Sequence, residues 1–226
     1  MRLPLPWSRL DACLLRGAVV PVCVIGDVVD SRHVTDQRRL LTGLADALAE
    51  LGSARSAAPT TGDEFQAVFD ELGTAVRAVA ALRLRLLDDP PAPAPVELRV
   101  GFGVGDITGE PGDAGAPGQS GPGWWHARAA LDALAAPRPG WPRLRWWVVA
   151  DGDLAPIRAT LVALDTLAGG FDATDVSLAR GTLAGRTARE LAEVQGITPQ
   201  SVGGRLRTHG IYGWVRALET LTGEPT

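Results

Sequence analysis

A chain of 226 residues, 46% of them apolar and 21% charged, is long enough for one domain of about 150 residues and a smaller second one. It contains no lysine, which excludes a P-loop, and its two cysteines, Cys13 and Cys23, make neither a disulfide framework nor a zinc site. No uncharged apolar stretch of about 18 residues exists to span a membrane, and Pro4, Pro6, Arg9 and Asp11 interrupt any signal-peptide core, so a cytoplasmic protein is expected.

The formal net charge of -4 is unevenly spread: from Arg180 onward six Arg face four Glu, a net of +2, which leaves -6 on residues 1–179. An acidic body with a mildly basic tail is compatible with a tail that meets nucleic acid.

Residues 1–17 read as an extension. Residues 19–26 form a continuous apolar run rich in Val and Ile, the pattern of a strand buried on both faces, with Cys23 as a small hydrophobe; the run ends at Asp27. Residues 36–51 have helical spacing, with Leu40, Leu44, Ala47, Leu48 and Leu51 on one face. Residues 57–61 and 64–69 read as a hairpin turning at Gly62-Asp63, with Phe65, Ala67 and Phe69 on one side. A helix over 72–87 follows, whose Arg77, Arg83 and Arg85 are expected to stay in water, and then a stiff proline-rich connection over 88–95.

Residues 96–107 form a strand with Gly101, Gly103 and Gly105 at every second position. One face of it is bare backbone, which calls for a close neighbour or a ligand. A Gly- and Pro-rich loop over 109–123 precedes a helix over 124–134 and a strand over 144–150, with Trp146 and Trp147 expected in the core. From Asp153 the pattern is helical to the end. The fold class expected is α+β: a ferredoxin-like antiparallel sheet with helices on one face over 18–152, and a small all-α helix-turn-helix domain over 153–226.

Two segments carry the chemistry. Gly26-Asp27-Val28-Val29-Asp30-Ser31-Arg32 follows the first strand, and Thr61-Gly62-Asp63-Glu64-Phe65 tips the hairpin. Either alone is ordinary turn chemistry. In the expected strand order the first and third strands are adjacent, so the two turns converge, and their carboxylates make a hard oxygen site suited to Mg or Mn. Such an ion holds a triphosphate in line for attack.

These segments resemble the two metal-binding segments of class III nucleotide cyclases and the diguanylate cyclase hairpin, which ends in Asp-Glu-Phe. Residues 98–105 are similar to the glycine-rich strand that follows in cyclases, and residues 123–131 to their helix with a transition-state Arg. Closest is the SatD family, whose Gly-Asp-Ile-Val-x-Ser-Arg and Gly-Asp-Glu-Phe-Gln patterns resemble Gly26 to Arg32 and Gly62 to Gln66. The resemblance implies a palm-type, nucleotide-cyclase-like domain with Asp27, Asp63 and Glu64 as metal ligands and Asp30 as a weaker candidate. It implies nucleotide phosphates against Gly26, Val28, Ser31, Arg32 and Gly62, with Ser31 and Arg32 opening the first helix, and Arg128 as the catalytic group facing a triphosphate. Trp124 stands where cyclases place an Asn, and the base-selecting Lys of adenylate cyclases has no counterpart, so binding a purine nucleotide is favoured over cyclising one.

Residues 187–206 have helix-turn-helix spacing, resembling the fourth region of sigma-type factors. Small Ala192 lets two helices cross, Gly196 permits the turn, Ile197 and Val202 fill the space beneath, and Thr198 with Pro199 starts the second helix. Arg205 and Arg207 are expected to reach phosphates and Gln200 or Ser201 a base edge, while Gly203-Gly204 leaves bare two positions that often face DNA. The function expected is a regulator in which a metal–nucleotide changes how the helix-turn-helix meets DNA. The alternative is a homodimeric metal-dependent nucleotide cyclase or nucleotidyltransferase whose helical part mediates dimerisation.

Overall fold

The computed structural model describes residues 20–29, 31, 36–52, 56–60, 62–88, 96–109, 118–136 and 143–223. The expected N-terminal extension, residues 89–95 of the proline-rich connection, most of the 109–123 loop, and Asp30, Arg32 and Thr61 lie outside the described residues.

The chain order is β1 (Val22–Val28), α1 (Gln37–Glu50), β2 (Ser56–Pro59), β3 (Glu64–Phe69), α2 (Leu72–Asp88), β4 (Leu98–Val104), α3 (Pro122–Ala135), β5 (Trp146–Val149) and then α4 (Ala155–Gly169), α5 (Ala173–Leu183), α6 (Ala188–Gln195), α7 (Pro199–Thr208) and α8 (Ile211–Leu221). The local reasons are legible. Asp36 caps α1 by accepting from the Arg39 amide at 3.0 Å, and Gly62 turns the hairpin with φ of 81°. Pro122 sits in the first turn of α3, and Asp172 and Thr187 build reciprocal capping boxes with Asp175 and Glu190 at the starts of α5 and α6.

The five strands form one sheet in the order β2-β3-β1-β4-β5. β1 is central, antiparallel to β3 and to β4, as the sequence leads one to expect. Two expectations are corrected. The sheet is mixed, because β5 pairs parallel with β4, and helices cover both faces. The connection from β4 through α3 to β5 is a crossover, which returns the chain parallel and lays its helix on the face opposite α1 and α2.

Period-2 alternation divides the core accordingly. Val22, Val24 and Val28 of β1 face the large core with Phe65, Phe69, Phe102 and Trp146. Cys23 and Ile25 face α3, packed with Val68, Trp124, Ala127 and Leu131. Burial pushes the Cys23 thiol up to about 12, so it is an inert core group. The bare face of β4 is filled by backbone: a β-carbon on Gly101 would lie 2.4 Å from the Ala127 carbonyl oxygen, and one on Gly103 would lie 2.1 Å from the Ala127 nitrogen. The close neighbour is therefore α3.

The large core continues without a break through α2 into Leu161, Leu164, Leu178, Trp214 and Leu218 of the C-terminal helices. Each fully buried Leu or Phe contributes ~2–3 kcal/mol of transfer free energy. Trp214 Nε1 donates to the Leu164 carbonyl at 3.0 Å, and α8 ends so close to α2 that a β-carbon on Gly73 would lie 1.9 Å from the Leu221 oxygen.

Side chains expected in water or core change places here. Arg83 is buried, donating to Asp165 Oδ1 of α4 at 2.7 Å and lying 5.7 Å over the Trp146 ring, because α2 is packed under the C-terminal helices, chiefly α5 and α8. Trp147 is half-buried, with the Arg158 guanidinium 5.2 Å over its ring. Ile197 is 37% exposed, whereas Val202 and Ala192 are buried as expected. No helix of the described residues is long and apolar enough to cross a membrane.

Candidate functional site

At the open end of the central strands the alternation puts charge on the α3 face. Asp27 of β1 is in register with Glu64 of β3 on one side and Arg99 of β4 on the other, so the three side chains emerge together. Arg99 donates from Nε to Asp27 Oδ1 at 2.9 Å and from Nη2 to Oδ2 at 2.7 Å. One strand over, Arg128 reaches down from α3 and donates to both oxygens of Glu64, each at 2.6 Å.

The two pairs are partly solvated: the side chains of Asp27 and Glu64 are 13% and 25% exposed, and Arg128 is 42% exposed. The bond to Glu64 raises the Arg128 pKa above its ordinary value, with burial opposing it and the charges of Glu64, Asp132 and Asp27 adding to it. An ion pair this open to water contributes at most ~1 kcal/mol to stability. Its fork-to-fork geometry is the form that also binds phosphate.

Asp63 sits at the rim of the same end. Its carboxylate accepts the Ser31 hydroxyl at 2.7 Å, and its carbonyl accepts the Val28 amide at 3.3 Å. Ser31 lies in a 3₁₀ turn ahead of α1, whose first residue, Gln37, donates its side-chain amide back to the Ser31 carbonyl at 3.0 Å. Val28 is itself a core residue, so only its backbone belongs to this rim. Gly26 lies on the opposite face, where a β-carbon would fall 2.2 Å from the Phe65 ring; its missing side chain makes room for that ring. Gly62 is surrounded by open space, and its positive φ accounts for the glycine. Arg32 lies outside the described residues.

Among the described residues no group of three or more His, Cys, Asp or Glu side chains comes together in a way that would hold a metal ion. The structure brings together Asp27 and Glu64 with two arginines, and Asp63 with Ser31.

The sequence singled out Arg128 but passed over Arg99. The available signal was period 2 along β4: Arg99 falls two residues before Gly101 and four before Gly103, on the face α3 covers. Trp124 is buried in the smaller core, and its Nε1 has no hydrogen-bond partner. Trp125, next to it, is 65% exposed on the outer side of α3. His126 Nδ1 lies 2.9 Å from the Val104 carbonyl, which ties that ring to β4.

In the C-terminal helices, α6 and α7 meet at Gly196, whose φ is 64°. Thr198 caps α7 by accepting the Ser201 amide at 3.1 Å. Gln200, Ser201 and Arg207 are exposed along α7. Arg205 is turned inward: its Nε donates to Asp175 Oδ1 at 2.9 Å and its Nη2 to Asp172 Oδ2. Asp175 is buried, and His209 Nδ1 lies 2.7 Å from its second oxygen. Burial alone would raise the Asp175 pKa; the bonds from Arg205, His209 and the Asp172 backbone outweigh it and hold the carboxyl below its ordinary value. Of the two glycines expected to lie bare, Gly203 is buried, while Gly204 has open space beside it.

The family model described as SatD family matches residues 21–138, just over half of the chain. That span takes in the whole carboxylate–arginine end, from β1 through α3. No curated protein matches the chain.

Proposed function

The chain belongs to the SatD family, and on that premise we propose that it is a regulatory protein. Its sheet domain, read as a ferredoxin-like palm of the nucleotide-cyclase type, binds a nucleotide with a divalent ion, and its C-terminal helix-turn-helix, read as sigma-like, meets DNA. The observation that carries this reading is the side-by-side placement of two forked acid–arginine pairs, Asp27 with Arg99 and Glu64 with Arg128, at one accessible sheet end.

In that arrangement every charge is already balanced, and a metal–triphosphate offers the same balance with the partners exchanged. Arg99 and Arg128 would hold phosphate oxygens, and Asp27 and Glu64, with Asp63 at the rim, would hold the cation. A cage of three or more protein ligands is lacking among the described residues. Mg²⁺ nonetheless is ordinarily held by one or two carboxylates together with substrate phosphates and water. The donor set therefore fits an ion that arrives with its nucleotide. When bound, that ion supplies neutralisation of phosphate charge.

Binding is favoured over turnover by Trp124. The position at which the likeness to cyclases places an Asn here holds an indole packed among Cys23, Ile25 and Val68, where it offers nothing to a transferring phosphoryl group. The DNA half rests on Gln200, Ser201 and Arg207, exposed on α7 behind a cap and turn of the expected form.

The test is thermal stability of wild type, Asp27→Asn and Asp63→Ala with ATP or GTP, each with and without Mn²⁺. A ligand that binds only the native state raises stability with its concentration. A metal-dependent rise in wild type that both variants lose supports the reading. No rise with any nucleotide in wild type rejects it.

A further inference from the structure

On the other side of the sheet from Asp27 lies a groove of about 690 Å³, walled by α2, α5, Leu51 just past α1 and Thr222 just past α8. Its volume falls within the range of small-molecule sites, ~300–1,000 Å³. Arg77, Ala81 and Arg85 stand four residues apart on α2, so they form one stripe in which a small residue separates two guanidiniums. The gap left by Ala81 is the hollow. Arg180 enters from α5, and Leu51 and Leu183 give the walls an apolar lining.

Three guanidiniums converge here in a chain of net charge -4. Arg85 Nη1 is 3.3 Å from Glu50 Oε2, Arg180 Nη1 is 2.6 Å from Asp88 Oδ2, and Arg77 Nη2 donates to the Leu183 carbonyl at 3.4 Å. The first pair is largely solvated, at 51% and 70% side-chain exposure, and Arg180 is 46% exposed. Such pairs are worth ~0–1 kcal/mol, so an anion that engages the same guanidiniums in forked hydrogen bonds displaces the acids at little cost.

We propose that this groove is a binding site for a small organic phosphate monoester whose apolar body lies along Ala81, Leu51 and Leu183 and whose phosphate is held by Arg77, Arg85 and Arg180. The site needs no metal. One wall belongs to the segment matched by the family model and the other to the C-terminal helices, so the ligand bridges the two.

The experiment is isothermal titration of the full chain in EDTA, which silences any metal-dependent site, with phenyl phosphate and with inorganic phosphate as probes. Wild type binds phenyl phosphate about tenfold more tightly than inorganic phosphate, as apolar contact along the groove requires. Arg85→Gln, at a largely exposed position, and Arg180→Gln each weaken phenyl phosphate about tenfold. Ala81→Leu fills the hollow without changing charge and removes the preference for the phenyl ester. A melting curve of each variant establishes that it is folded, and Arg85→Gln and Ala81→Leu decide the matter if Arg180→Gln is not. Absence of binding by wild type, or affinities unchanged in the folded variants, overturns the proposal, whatever happens at the carboxylate end.

Discussion

Arg128 on α3 holds both oxygens of Glu64 on β3 at 2.6 Å, so the helix that covers the central strands is also tied to the hairpin strand. Removing the Glu64 charge releases a guanidinium beside a second one. Glu64→Gln is expected to strengthen binding of triphosphate alone by about tenfold and to shrink the further gain from Mn²⁺, at a stability cost of no more than ~1 kcal/mol. Titration of ATP with and without Mn²⁺ checks both; an unchanged metal dependence would show that Glu64 and Arg128 are only a strut.

The glycines of β4 and α7 make opposite predictions. A methyl group on Gly103 meets the backbone of α3 at 2.1 Å, and neither the strand nor the helix can yield cheaply. Gly103→Ala is expected to cost at least ~2 kcal/mol in urea denaturation. Gly204 lies in a helix with nothing within 4 Å of an added β-carbon, so Gly204→Ala is expected to stabilise by up to ~1 kcal/mol.

Acid should loosen the C-terminal helices through Asp175. Its folded pKa lies below the ordinary 3.8, so its contribution to stability is fully present above that value. It is lost as pH falls through the depressed folded one. Asp165 acts in the opposite sense: burial raises its pKa above 3.8, more than the bonds from the Arg145 amide and Arg83 lower it. Its contribution therefore belongs to low pH and fades as pH rises through the folded value. Urea midpoints between about pH 6 and about pH 2 should fall less steeply in Asp175→Asn than in wild type, from a lower starting stability. Equal slopes would mean that Asp175 titrates alike folded and unfolded.

Arg205 and Arg207, alike in sequence, should part in experiment. Arg205→Ala leaves buried Asp175 without its guanidinium and is expected to lower the melting temperature first. Arg207→Ala, at an exposed position, is expected to leave the melting temperature alone, weaken DNA binding and reduce the slope of log affinity against log salt by about one. A full salt slope in Arg207→Ala would remove this residue from the interface.

The elements from β1 to α3 were legible because local pattern determined them: an apolar run for β1, an apolar stripe for α1, alternate glycines in β4 that required a close neighbour. Which neighbour it was did not follow, since α3 reaches that face only through the crossover to β5. The same limit hid Arg99, whose meeting with Asp27 is a matter of cross-strand register rather than spacing. It also hid the inward turn of Arg205, whose partners Asp172 and Asp175 lie about thirty residues earlier, and the burial of Arg83, whose partner Asp165 belongs to the helical segment. Long-range pairing of charge is the part of the site that periodicity does not carry.

The most direct measurement is the concentration of free Mn²⁺, read by electron paramagnetic resonance, as the protein is titrated in the presence and absence of a purine nucleoside triphosphate. With two carboxylates and, among the described residues, no protein cage, the protein alone should leave most of the ion free. With nucleotide present it should bind about one equivalent beyond what the nucleotide binds by itself, and Asp27→Asn should abolish that increment. An increment that survives in Asp27→Asn, or none in wild type, contradicts a metal–nucleotide site at Asp27 and Glu64.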